Sequence, residues 1–158
     1  MRAIVQSWRT FWALNNVERG VARAAAIGLT ATWVGLRVFG FRRWNKFVGA
    51  RLEKAAELGS VRRSTTVSAS RIVQLEAAAA RNLFFRTNCL ERSLVLWSIL
   101  RRRDFAADLK IGARKEAGRF EAHAWVELEG CRLDDGSESQ NKFVPFDGAV
   151  SSMETQAE

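Results

Sequence analysis

The stretch NCLERSLVLWSILRRRDFAADLKIGARKEAGRFEAHAWVELEGCRLDD, residues 88–135, decides the fold, because its apolar period changes halfway. Asn88 and Glu91 form a capping box, in which each side chain satisfies the other's free backbone amide. Leu90, Leu94, Trp97 and Leu100 then recur at helical spacing and should face a core. Arg101, Arg102 and Arg103 suit the negative end of that helix. From Leu109 the period is two: Leu109, Ile111 and Ala113 alternate with Lys110 and Gly112. Lys115 to Gly118 reads as a turn. Phe120, Ala122, Ala124, Val126 and Leu128 alternate with Glu121, His123, Trp125, Glu127 and Glu129. Glu129-Gly130 is a turn signal, and Cys131 to Asp135 is the returning strand. A short final strand is expected from Phe143 through Val144 to Phe146.

Upstream, the chain is helical. Asn15 with Glu18 is a second capping pair, opening a helix from Asn15 to Phe39. Gly40 stops it, Phe41 to Leu58 forms another segment, and Gly59 ends that one. Val61 to Ser70 is rich in Ser and Thr and should hold a loop and a new cap. Ser70 to Leu83 is alanine-rich and readily helical. Helices first and an antiparallel sheet afterwards make an α+β domain. The expected organisation is a helical region over 1–60, a core over 61–150 and a disordered tail over 151–158.

The 158 residues are 47% hydrophobic, enough for one packed domain. Two cysteines cannot build a disulfide scaffold, so a reducing cytoplasm is the expected compartment. Neither lies in a CxxC pair, and one histidine is too few for a zinc set, so no metal or cofactor is expected. The net charge of +8 is mostly arginine spread over helices. It fits an acidic partner or a membrane surface, and no common nucleic-acid-binding signature accompanies it. The start of the chain lacks a signal-peptide pattern. Its most apolar run, Ala24 to Leu36, is 13 residues, short of the roughly 20 that span a bilayer. Trp33, Phe39, Phe41 and Trp44 near arginines fit a helix lying at an interface as well as a buried one.

The chemistry concentrates at Cys89 and at His123, the only histidine. Behind Asn88, Cys89 is the first helical residue, where free amides and the helix dipole favour a thiolate and can hold an oxyanion. Glu91 opposes this slightly. Hairpin geometry supplies the acid. A two-residue loop, Glu129-Gly130, pairs Leu128 with Cys131, sets Trp125 opposite Asp134, and puts Asp134 on the His123 face. A three-residue loop with Gly130 at a bulge sets His123 opposite Asp135. Either loop brings a carboxylate to the imidazole, so Cys, His and Asp form a candidate triad. Cys131 reads as structural, and Trp125 as a wall or as core.

These residues resemble a known family. The Asn88–Leu94 segment, Leu100-Arg101-Arg102-Arg103, Leu109–Arg114, Ala122-His123-Ala124-Trp125-Val126-Glu127 and Leu133-Asp134-Asp135 are similar to the transglutaminase-like cysteine protease domain of lasso-peptide maturation. The similarity covers about residues 76–147. It is looser upstream, where the helical character and Phe41-Arg42-Arg43 carry it. The family pattern is a Cys-Leu-x-Arg-Ser/Ala-Leu helix, a Gly-x-Arg strand and a His-Ala-Trp-Val-Glu hairpin ending in an acid. Glu91 stands where proline is common, and Asp134 where asparagine is.

The resemblance implies a papain-like core with Cys89 at a helix N-terminus packed on an antiparallel sheet. Its acid, twelve residues after the histidine, would be Asp135, which favours the bulged loop. It implies a leader peptidase acting on a ribosomally made lasso-peptide precursor. The implied partners are that precursor, a separate leader-recognition protein (the chain is too short to include a winged-helix recognition domain) and the macrolactam cyclase. An acyltransferase using the same triad, and a non-catalytic docking or membrane-peripheral module, are the alternative readings.

Overall fold

In a computed structural model, described over residues 13–57, 67–116, 119–133 and 143–145, three helices precede a four-stranded antiparallel sheet. Helix α1 spans Asn16–Glu57 and is broken at Gly40, whose φ of 74° and ψ of 168° are outside helical space. That backbone favours glycine, so the stop signal at residue 40 has a steric basis. The Asn15–Glu18 cap forms in both directions: the Glu18 amide donates to Asn15 Oδ1 (2.8 Å) and the Asn15 amide to Glu18 Oε2 (3.1 Å). Arg71 Nε donates to the other Glu18 oxygen at 2.6 Å, tying the start of α1 to the next helix. Arg71, and then the Asn15 amide, hold the Glu18 carboxyl below its ordinary range.

After Gly40 the chain folds back. Trp44 Nε1 donates to Thr32 Oγ1, and the Trp44 ring lies so close to Gly35 that a Cβ there would sit 2.3 Å from it. Gly35→Val should therefore lift Trp44 off the first segment and cost about 1–3 kcal/mol. A denaturant midpoint measured against wild type checks this.

Helix α2, Ala69–Arg81, starts at Ser68, whose side chain accepts from the Arg71 amide. It begins one residue earlier and ends two residues earlier than expected. Helix α3, Cys89–Arg101, has Asn88 as its cap with both capping-box bonds formed. Val21, Ala25 and Leu29 of α1 lie one helical turn apart and are fully buried. They share one core with Ile72 and Leu75 of α2, Leu94, Val95 and Leu100 of α3, and the sheet residues Ala107, Leu109 and Val126. Leu90 and Trp97 pack at its edge. Trp97 Nε1 donates to the Ala107 carbonyl (3.1 Å), fixing α3 to the start of the sheet.

The strands are β1 (Ala107–Glu116), β2 (Arg119–Leu128), β3 (Cys131–Leu133) and β4 (Val144–Pro145), in the order β3-β2-β1-β4. The β2–β3 loop corrects the bulged reading. Leu128 pairs with Cys131 and Val126 with Leu133, so the loop has two residues. Glu129 (φ 52°) and Gly130 (φ 77°) both take left-handed backbone. Two such residues in succession make the type I′ turn, whose twist matches that of the strands. The tail at 151–158 lies outside the described residues.

Candidate active site

Cys89 is half-buried at the first position of α3. Asn88 Oδ1 takes the Glu91 amide (2.8 Å), and Glu91 Oε2 takes the Asn88 amide (2.9 Å). Helix geometry leaves the Cys89 and Leu90 amides with no intrahelical acceptor, so they are available to an anion at the thiol's position.

Glu91 is only 1% exposed, and its second oxygen meets Arg37 of α1 at 2.8 Å. The Arg37 guanidinium also stacks 4.1 Å over Trp33. A buried carboxylate two residues from Cys89 would oppose a thiolate, and Arg37 balances its charge. The pairing reaches across 54 residues of sequence, so the sequence reading missed it. Arg37→Met should cost about 1–2 kcal/mol, because it strands the Glu91 charge while Arg37 itself is half-exposed. Adding Glu91→Gln should recover most of that loss in a denaturant double-mutant cycle.

A second buried carboxylate, Glu76 of α2, receives Arg92 Nε (3.2 Å) and NH2 (3.0 Å). This two-point contact fixes the first turns of α3 against α2.

Ser93, one turn after Cys89, donates to the carbonyl of Ala124 at 2.9 Å. Leu128 pairs with Cys131 next to the turn, so by ladder parity the Ala124 carbonyl points to the β3 side of β2. The start of α3 is thereby pinned to the strand edge at the residue after His123. Cys89 lies only about 6 Å further along the helix axis.

His123 is half-buried on β2, on the opposite face from Ala124 and Val126. Its ring stacks with Phe143 (centroids 5.0 Å apart) and with Trp125 (6.3 Å). The residue opposite it on β1 is Gly112, which has no side chain to block Phe143. Trp125 is 4% exposed, donates to Glu127 Oε1 at 2.7 Å and lies under Arg132 at 4.5 Å. Arg114 lies 4.7 Å over Phe143 and pairs with Glu121. Trp125 is thus both wall and buried residue, and Phe143 is a wall that the sequence placed on a strand but not beside the imidazole.

The structure packs α3, which begins at Cys89, on β2, which carries His123 on the strand face opposite Ala124 and Val126. Asp134 and Asp135 lie outside the described residues, as does Phe146. Cys131 is exposed and pairs with Leu128, on the opposite strand face from His123. Among the described residues no group of His, Cys, Asp and Glu is arranged to hold a metal ion. A thiol at a helix N-terminus and an imidazole on the strand that helix packs against are groups that can supply a nucleophile and a proton acceptor.

A family model described as transglutaminase-like superfamily matches residues 32–146, from the middle of α1 to just past β4. No curated protein and no solved structure matches the chain.

Proposed function

The chain belongs to the transglutaminase-like superfamily, which includes cysteine proteases and acyltransferases, and we propose that it is a cysteine endopeptidase that removes the leader from a lasso-peptide precursor. The observation that carries the reading is Cys89 at the capped start of α3, with the next turn bonded to the residue beside the chain's only histidine. The Cys-Leu-x-Arg-Ser helix and the His-Ala-Trp-Val-Glu strand support the narrower substrate class.

In this mechanism His123 takes the Cys89 proton and the thiolate attacks the scissile carbonyl. The Cys89 amide holds the developing oxyanion. The leaving amine takes the proton from His123, and water then releases the acyl-enzyme. Asp135 orients the imidazole and stabilises its charged form. The β2–β3 ladder, continued past Leu133 without change, would give the His123 face to Asp134 instead. The Asp135 assignment therefore requires a departure from that register. The proposed partners are the precursor, a separate leader-recognition protein and the macrolactam cyclase, in the cytoplasm.

The test is mass spectrometry of the precursor, incubated with the protein and its recognition partner, with and without an added primary amine. Two fragments, one having gained water, support the peptidase. A leader fragment carrying the amine would assign acyl transfer. An intact precursor, with partner binding shown, would refute the substrate.

A further inference from the structure

The first segment of α1 has two apolar faces, and only one meets the core. Val21, Ala25, Leu29 and Thr32 are at most 4% exposed. On the opposite face Ile27 (70%), Val34 (45%) and Val38 (65%) are exposed, with Ala31 between them. Their spacing of three and four residues makes one continuous stripe. The apolar surface continues through Phe39 (54%) and, past the break at Gly40, Phe47 (49%). Trp44 and Phe39, folded against the stripe, close an almost wholly apolar, shallow groove of about 640 Å³. An outward stripe of this size is more than scattered surface hydrophobicity.

The charge beside it is one-sided. From residue 41 to 57 the sequence has five basic residues, Arg42, Arg43, Lys46, Arg51 and Lys54, all exposed, against two acids, Glu53 and Glu57. The Arg51 guanidinium lies 5.4 Å over Phe47. A second copy docking here would bring two basic rims together, which opposes self-association. Apolar and aromatic side chains rimmed by Lys and Arg instead match the headgroup region of an anionic bilayer. By length and composition α1 is apolar enough to cross a membrane. Crossing, however, would pull Val21, Ala25 and Leu29 out of the core they share with α2, α3 and the sheet.

We infer that this face of α1 docks on the surface of an anionic lipid bilayer, with Ile27, Val34, Val38, Phe39 and Phe47 at the acyl boundary and the basic residues after Gly40 at the headgroups. The inference does not rest on the peptidase reading.

Co-sedimentation of the full chain with vesicles tests it, using phosphatidylcholine alone or with about one third phosphatidylserine. Binding to the anionic vesicles should be at least ~10-fold tighter and should weaken at about 0.5 M salt. Val38→Glu with Phe47→Glu, both at exposed positions, should abolish it with an unchanged circular dichroism spectrum. Arg42→Glu with Arg43→Glu should reduce it to the level seen on neutral vesicles. Three outcomes would overturn the inference. One is no binding to anionic vesicles at low salt. Another is binding that survives Val38→Glu/Phe47→Glu, which is adsorption by net charge alone. The third is a wild-type dimer that this pair converts to monomer, which assigns the face to a second copy.

Discussion

Cys89→Ala and His123→Ala are each expected to lower the rate of leader removal on the order of 10⁴-fold or more, with little loss of stability. The size follows from their proposed roles. Without the thiol there is no covalent intermediate, and without the imidazole no group in the chain takes the proton near neutral pH. The two act as one unit, so the double variant should be about as slow as either single one. Single-turnover rates on the precursor measure this. Multiplying effects in the double variant would show that the residues act separately. Both side chains are half-buried and neither belongs to the packed core, so the fold should survive either change.

Asp135→Asn should cost on the order of 10³- to 10⁴-fold in kcat with little change in KM. An amide in that place can still hold the ring, but it favours the wrong tautomer and does not stabilise imidazolium. Asp134→Asn should cost less than about 10-fold, the size expected of a neighbour that does not orient the ring. The β2–β3 register is what makes the comparison informative. Uninterrupted pairing from Leu133 favours Asp134, and the twelve-residue spacing of the family pattern favours Asp135. The reverse order of effects would assign the acid to Asp134 and extend the ladder as it stands.

What could be read in the sequence was local. The Asn15–Glu18 and Asn88–Glu91 caps, the break at Gly40 and the period-two strands each depend on residues within a few positions. The position of Cys89 at the start of a helix followed from its cap alone. The loop length was not legible, because Glu129-Gly130 serves both turns. The type I′ turn needs Glu129 at a φ of 52°, an unusual backbone for glutamate that nothing in the sequence announces. The contacts that shape the site were not legible either, since they join distant residues. Arg37 reaches Glu91 between helices, Ser93 reaches the Ala124 carbonyl, and Phe143 stacks with His123. Each was visible in the sequence only as a residue type. The aromatic residues near arginines in α1 fit an interfacial or a buried helix; α1 has a buried face and an exposed apolar one.

The central claim is that Cys89 and His123 work as a pair, and the most direct measurement is the alkylation rate of each cysteine by iodoacetamide near neutral pH, read by peptide mapping. Cys131 is exposed and serves as an internal standard for an ordinary thiol, while Cys89 is half-buried. The account predicts that Cys89 reacts faster than Cys131 despite its lower exposure, and that His123→Ala removes the advantage. A Cys89 that reacts more slowly than Cys131 in the wild type, or at a rate unaffected by His123→Ala, would contradict it.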